Sequence, residues 1–233
     1  MNLRPKTLAR IAGSLYLLAS VLFIFSIYVR STVKTEPTQI APHIQSSAVV
    51  FRIGLASDLV SGVLFLLTAM ALYLLLQHVQ QTAAAAMVVF VVVLVTVLYL
   101  NDLNQFDALT IATNPSYART FGVGATNSLV TLLLQAQING LVINEMFFGL
   151  WLVPLGYLVI RSRQFPALIG ALILVAAVNW LAQFAFDVLL PGISYGGLIS
   201  QLFGIGEIVF VAWLLIFGIG PARHARGADA GIA

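Results

Sequence analysis

The sequence contains no cysteine and very few charged residues. The absence of cysteine excludes disulfides, thiolate metal sites and a cysteine nucleophile. Charged residues make up 8% of the 233 residues, and hydrophobic residues make up 61%, whereas a typical soluble domain carries about 25% charged residues. So few charges cannot cover a surface that faces water. The composition therefore predicts a protein whose solvent is the lipid bilayer.

Other functional motifs are also missing. The three histidines, His43, His78 and His224, all lie outside the centres of the hydrophobic runs, so an intramembrane zinc site or paired haem ligands cannot be built from them. There is no rhomboid-like serine and histidine pair, no phosphate loop and no dinucleotide fingerprint. We expect no metal and no cofactor. The chemistry that remains belongs to carboxylates and amides.

Six hydrophobic runs reach the roughly 20 residues that a membrane-spanning helix needs. They cover about 10–29, 50–77, 84–105, 140–160, 166–189 and 198–220. We interpret the first run as an uncleaved helix and not as a signal peptide, because no small-residue cleavage site follows it. The sequence thus predicts an all-α membrane protein, a six-helix bundle that forms one integral membrane domain over residues 1–233.

The basic residues predict the orientation of this bundle. One predicted side of the membrane has seven of them, Arg4, Lys6, Arg10, Arg161, Arg163, Arg223 and Arg226. The other side has four, Arg30, Lys34, Arg52 and Arg119. Cytoplasmic loops are enriched in Lys and Arg, so both termini are predicted to be cytoplasmic. The net charge of +3 is therefore attributed to orientation, and no nucleic-acid partner is expected.

Two loops on the predicted outer side have helical signals. In the first, Ile40, Ile44 and Ala48 follow at helical spacing after a start signal at Thr35–Pro37, which predicts a short helix lying in the membrane interface. The second loop, 106–139, has a start signal at Asn114-Pro115 and ends in the apolar run Leu129–Leu134. We interpret that run as an extension of the fourth span, broken or bent near Asn139-Gly140.

Polar residues inside the predicted spans form the candidate site, because such residues are costly in lipid and mark function by default. They are concentrated toward the outer half, which predicts a polar pocket near the outer surface. The candidate ligand-binding residues are Arg52, Asp58, Glu145, Asn179, Gln183 and Glu207. Asp102 and Asp187 are interpreted as ordinary helix-end groups.

Spacing refines this set. Asn179, Gln183 and Asp187 recur every four residues and form one stripe on the fifth span. Small residues accompany Asp58 and Glu145 on their faces, so both acids are predicted to point into the bundle. At about 1.5 Å per residue, Asn179 and Glu207 come out at similar depth and are predicted to share a cavity. A structural ion pair between Glu207 and Arg52 is the alternative interpretation.

An ordered set of short motifs resembles a known family. They are Ala9–Gly13 with Leu15-Tyr16, Phe51-Arg52 with Gly54 and Asp58-Leu59, Phe147–Leu150, Gly156–Leu158, Arg161-Ser162 with Pro166 and Gly170, and Gly206-Glu207 with Trp213-Leu214. Together they resemble the bacterial membrane proteins of domain-of-unknown-function family 4386 over almost the whole chain. The resemblance implies a multi-pass protein of the bacterial cytoplasmic membrane and no particular activity.

The chain departs from that family's pattern at two places. Ala48 stands where the family usually has Glu, four residues before Arg52, and His43 stands where it usually has Asn. If those groups belong to a site, part of it is altered in this chain. The matches at Arg52, Asp58 and Glu207 coincide with candidates found from the polar pattern alone.

Three functions fit this sequence. The first is a membrane protein that binds or passes a small molecule, lipid or ion through the outward-facing pocket. The second is an intramembrane enzyme in which Glu207 protonates a lipid or isoprenoid between walls formed by Trp180 and Phe184. The third is an accessory subunit of a membrane complex, whose polar residues only hold helices together.

Overall fold

The computed structural model describes residues 4–32, 40–190 and 205–219, and all regular structure in these ranges is helical. The helices are α1 Pro5–Ser31, α2 Ile40–Ser46, α3 Ala48–Leu76, α4 Gln81–Thr113, α5 Pro115–Phe121, α6 Val123–Ser162, α7 Ala167–Leu189 and α8 Ile205–Ile216. The fold is therefore all-α in the described ranges, as the sequence predicts.

Five of these helices, α1, α3, α4, α6 and α7, are long and apolar enough to cross a membrane. They correspond to the first five predicted spans. The sixth predicted span, 198–220, lies partly outside the described residues, and α8 covers 12 residues of it. The chain thus fits a multi-pass helical membrane protein.

α6 is longer than the sequence predicts. It has 40 residues, or about 60 Å at the usual helical rise, twice the thickness of a hydrocarbon core of about 30 Å. The run Leu129–Leu134 extends the span, as expected, but no break occurs at Asn139-Gly140. A Cβ atom on Gly140 would overlap the side-chain amide of Asn101. Gly140 therefore permits close packing of α6 on α4 and does not end the helix.

The extended ends of α4 and α6 form a cap with α2 and α5. Asn114 starts α5 as predicted, since its side-chain oxygen accepts a hydrogen bond from the backbone N–H of Ser116 at 3.0 Å. The predicted helix around Ile40 and Ile44 exists as α2, but its apolar face is buried against protein. α2 therefore packs on the bundle, and its position in the membrane interface stays a prediction. We call this end of the bundle the cap side.

The six longer apolar helices close into a ring. α1 packs on α3, α3 on α4, α4 on α6, α6 on α7, α7 on α8, and α8 returns to α1. Away from the cap, the ring is filled by buried apolar side chains such as Leu72, Leu76, Met87, Leu155 and Leu158. The sequence pattern agrees, because the ends of the spans away from the cap have almost no polar residues. The polar side chains are gathered between the middle of the ring and the cap.

α6 and α7 approach each other through glycine. A Cβ atom on Gly170 would lie 2.9 Å from the carbonyl oxygen of Gly156, and one on Gly156 would lie 3.0 Å from that of Gly170. Small residues at such points let helix backbones come close in a membrane. This contact holds α7, and with it Trp180, against the ring.

Candidate functional site

A cavity of about 690 Å³ lies inside the ring, lined by residues of all six of its helices. Most lining side chains are apolar, including Leu17, Ile24, Phe65, Leu98, Phe148 and Val211. Part of the lining is also exposed on the surface of the protein. This part consists of apolar side chains, among them Leu17, Ile24 and Ile208. The sequence predicts a polar pocket, whereas the cavity is an apolar chamber with a few polar groups.

Glu207 is the central polar group of this chamber. The hydroxyl of Tyr16 donates to Oε2 of Glu207 at 2.5 Å, and the indole Nε1 of Trp180 donates to Oε1 at 3.1 Å. The three side chains come from α1, α8 and α7, and all three line the cavity. Phenol and indole act as donors to a carboxylate oxygen, so each oxygen of Glu207 has a hydrogen-bond partner. We call these three residues the Glu207 site.

Aromatic rings continue from the Glu207 site along the cavity wall. Ring centroids are 5.6 Å apart for Tyr16 and Phe65, 5.9 Å for Phe65 and Phe148, and 4.9 Å for Phe148 and Trp180. Trp151 packs behind them and is fully buried, so it supports the wall without lining it. Trp180 thus forms part of the wall, as expected from the sequence, while Phe184 is not among the lining residues.

The predicted sharing of one cavity by Glu207 and Asn179 is wrong. Gly206 lies directly against the carbonyl of Leu172, which is seven residues, or about 10 Å, before Asn179 along α7. The indole of Trp180 bridges this difference in height and reaches Glu207. Asn179 itself is buried with 6% exposure and does not line the cavity. Counting residues from the helix ends gives Asn179 and Glu207 a similar depth, but this count does not include the shift of α8 along α7.

Glu145 is the second acid of the cavity lining, on α6. Gln183 of α7 donates to its Oε1 at 3.4 Å. The predicted stripe on α7 therefore does face α6, with Asn179 buried, Gln183 beside Glu145, and Asp187 exposed at the helix end. Of the six candidate residues, Glu145 and Glu207 line the cavity, and Gln183 contacts one of them.

Asp58 belongs to a separate polar network nearer the cap. It forms an ion pair with Arg30, whose Nη1 also donates to Oγ of Ser26 at 2.8 Å and contacts Oε1 of Gln105 at 3.5 Å. Gln137 of α6 donates to the same Gln105 oxygen at 2.6 Å. The network joins α1, α3, α4 and α6, and Asp58 is completely buried.

Asp102 adds a second acid to this network. It is 3% exposed and interacts electrostatically with both Asp58 and Arg30. The interpretation of Asp102 as an ordinary helix-end group is therefore wrong, because α4 continues to Thr113 and leaves Asp102 well inside the bundle. Asp187 is exposed in the last turn of α7, as a helix-end group would be, but it also interacts with the side chain of Glu145.

Arg52 lies apart from both groups. It is exposed on α3, and no acidic side chain in the described ranges pairs with it. The alternative ion pair between Arg52 and Glu207 is wrong, since Glu207 is held by Tyr16 and Trp180. Over residues 4–32, 40–190 and 205–219, no three His, Asp or Glu side chains converge as a metal site would require.

Tyr16 and Arg30 are partners of the buried acids that the candidate set does not contain. A signal for Tyr16 exists, because Ala9, Ala12, Tyr16 and Ala19 repeat at helical spacing and mark the buried face of α1. Arg30 ends its span, a position that is equally typical of an orientation signal. Which acid it reaches depends on the packing of α1 against α3, which no single-helix pattern contains.

Comparison with known proteins identifies the family. The family model for the domain of unknown function DUF4386 matches residues 11–218, so the chain belongs to this family. An uncharacterized protein of Archaeoglobus fulgidus is 35% identical over 85 residues, which cover 36% of this chain and 50% of the relative. The match therefore spans about half the length of that archaeal protein. No solved structure matches the chain.

Proposed function

We propose that this member of the DUF4386 family binds a small apolar or amphiphilic molecule inside the membrane, in the cavity that contains the Glu207 site. The cavity itself is the observation that supports this proposal. Ligand pockets usually enclose about 300–1,000 Å³, with mostly apolar walls and a few placed polar groups. The 690 Å³ chamber has that size and that distribution of groups.

Binding is favoured over passage through the membrane. Beyond the cavity, away from the cap, the ring is filled by fully buried side chains such as Leu72, Leu155 and Leu158. A transported solute would have to displace this packed core, which costs several kcal/mol for each large side chain. The chamber is therefore proposed to receive its ligand from the lipid or from the cap side and to release it there.

The orientation and location belong to the same proposal. We place the cap outside the cytoplasmic membrane of a bacterial cell and the loop containing Arg161 and Arg163 inside, following the distribution of basic residues. The cavity then lies in the outer and central part of the bilayer. Lipids and hydrophobic compounds partition into this region.

An intramembrane enzyme is the second candidate, and one contact bears on it. Both oxygens of the Glu207 carboxyl group accept hydrogen bonds, one from Tyr16 and one from Trp180, so neither oxygen is directed as a proton donor toward the cavity. This arrangement supports a binding group at Glu207 more than a catalytic acid.

The test is to identify what the cavity holds. The protein would be purified in a mild detergent, and bound molecules would be detected by native mass spectrometry after detergent removal. We expect a bound species of fixed mass in the wild type and its loss in Ala212→Phe, since Ala212 lines the cavity and a ring there would fill it.

Ala85→Phe is the matched control, because Ala85 is exposed on α4 and does not line the cavity. If Ala212→Phe and Ala85→Phe retain the same bound species, the ligand does not lie in the cavity and the proposal fails. A protein that carries no ligand from any membrane extract, yet co-purifies with one partner protein, would instead support an accessory subunit.

A further inference from the structure

We propose that the ligand of this cavity is a lipophilic cation, a molecule whose positive charge lies next to Glu207 and whose apolar substituents fill the chamber. This inference rests on the proposed function and adds the chemical class of the ligand. Two features of the cavity support it: the acids of its lining and its aromatic wall.

The described part of the lining contains acids and no base. Among residues 4–32, 40–190 and 205–219, those that line the cavity include two carboxylic acids, Glu145 and Glu207, and no Lys, Arg or His. Arg30, the cation of the described polar network, is paired with Asp58. The cavity therefore offers carboxyl groups to a ligand, and a positively charged ligand is complementary to them.

The groups that hold Glu207 supply no positive charge. Tyr16 and Trp180 are neutral donors, so they orient the two carboxyl oxygens and leave the position of a counter-ion to a ligand. An anion in an apolar chamber is stabilised most by a cation that enters with it, because the cost of its desolvation is then partly recovered.

The aromatic wall favours a cation as well. The rings of Phe65, Phe148 and Trp180 line the cavity, and Trp180 contacts Glu207 directly. A cation over an aromatic face within about 6 Å of its centroid gains roughly 0.5–2 kcal/mol, more when it is desolvated. A neutral lipid chain would gain no comparable term from these rings or from the acid.

An inorganic cation fits less well. Calcium takes about six to eight oxygen ligands and magnesium about six, and both lose hydration only when such ligands replace water. The carboxyl groups among the described lining residues are those of Glu145 and Glu207, and Glu207 already accepts two hydrogen bonds. A cation that carries its own alkyl or aryl groups would instead bury them against the walls.

The experiment compares two ions of the same shape and opposite charge. Tetraphenylphosphonium and tetraphenylborate would be titrated by equilibrium dialysis into the purified protein in detergent, with a detergent blank. We expect saturable binding of the phosphonium and at least about tenfold weaker binding of the borate. Tetraphenylsilane, the neutral analogue, gives the contribution of the apolar walls alone.

Variants locate the charge. Glu207→Gln should weaken phosphonium binding by at least about tenfold and leave silane binding unchanged. Asp107→Asn removes the same formal charge from an exposed position on α4 and should change neither. Glu207→Asp keeps the charge and should retain most of the binding, which separates loss of charge from loss of folding if Glu207→Gln unfolds early.

The outcomes distinguish this inference from the proposed function. Equal binding of phosphonium and borate, or an unchanged phosphonium affinity in Glu207→Gln, overturns the cationic class. Suppose that tetraphenylsilane binds the wild type but not Ala212→Phe, and that tetraphenylphosphonium does not bind. The cavity then binds ligands, as proposed, but the inference of a cationic ligand is overturned. If the wild-type protein binds none of the three probes and carries no native ligand, both proposals are overturned.

Discussion

Asp58 and Glu207 are both acids within apolar helices, but their partners differ in kind. Asp58 is neutralised by Arg30 and surrounded by Ser26, Gln105 and the second acid Asp102. Glu207 receives two neutral donors and faces a cavity. The first arrangement is typical of a structural ion pair, and the second leaves a carboxyl group that faces the cavity with neutral partners.

At this scale the first prediction concerns the Arg30–Asp58 pair. Asp58→Asn removes the carboxylate that contacts Arg30 and leaves Asp102 as the remaining acid described in the network, so it should destabilise the protein by about 3 kcal/mol. The double variant Arg30→Gln with Asp58→Asn should recover part of that loss, because the buried guanidinium is removed together with its partner. The measurement is reversible unfolding in mixed micelles followed by tryptophan fluorescence.

Arg52→Gln serves as the matched control for this pair. Arg52 is exposed, so its replacement should change the free energy of unfolding by no more than about 0.5 kcal/mol. A double variant as unstable as Asp58→Asn alone would show that the ion pair is not the origin of the effect.

At the scale of helices, glycine sets the distance between α6 and α7. The sequence shows Gly156 and Gly170 as isolated glycines in hydrophobic runs, where they are equally typical of weak points in a helix. The structure places each against the carbonyl of the other. Gly140 is a further example, because its lack of a side chain makes room for the Asn101 amide of α4 while α6 continues as a helix.

The second prediction tests this contact. Gly170→Ala would place a Cβ atom 2.5 Å from Cγ1 of Ile160 and 2.9 Å from the Gly156 carbonyl oxygen, and overpacking of this kind costs about 1–3 kcal/mol. Gly124→Ala is the control, since a Cβ atom added there would have nothing within 4 Å, and it should be neutral or slightly stabilising. Thermal unfolding of the two variants would show the difference, and equal midpoints would contradict the contact.

At the scale of the whole molecule, the orientation across the membrane stays a prediction from charge. The chain has no cysteine, so single cysteines can report it without background. Gln80→Cys and Arg163→Cys lie at helix ends opposite the cap, and Ser116→Cys lies in α5.

The third prediction is that a membrane-impermeant thiol reagent labels Ser116→Cys in intact cells and does not label Gln80→Cys or Arg163→Cys. Both of the latter should react after the cells are permeabilised, which controls for accessibility. Labelling of Arg163→Cys from outside would reverse the assigned orientation and place the cap in the cytoplasm.

The sequence by itself determined that the chain is a helical protein surrounded by lipid. It also determined the family and the approximate positions of the first five spans. These properties depend on local composition, since about 20 apolar residues and few charges suffice to specify a helix in lipid. It also pointed to Glu145, Glu207 and Asp58 as buried acids, because ionisable groups within apolar runs are visible as soon as the runs are located.

Only the tertiary structure decided which groups these acids meet. The shift of α8 along α7 brings Trp180, and not Asn179, to Glu207, and the packing of α1 joins Tyr16 to Glu207 and Arg30 to Asp58. A helix pattern specifies which residues share a face, but the height and rotation of one helix against another depend on side-chain packing between them. The cavity and its charge arise from those contacts.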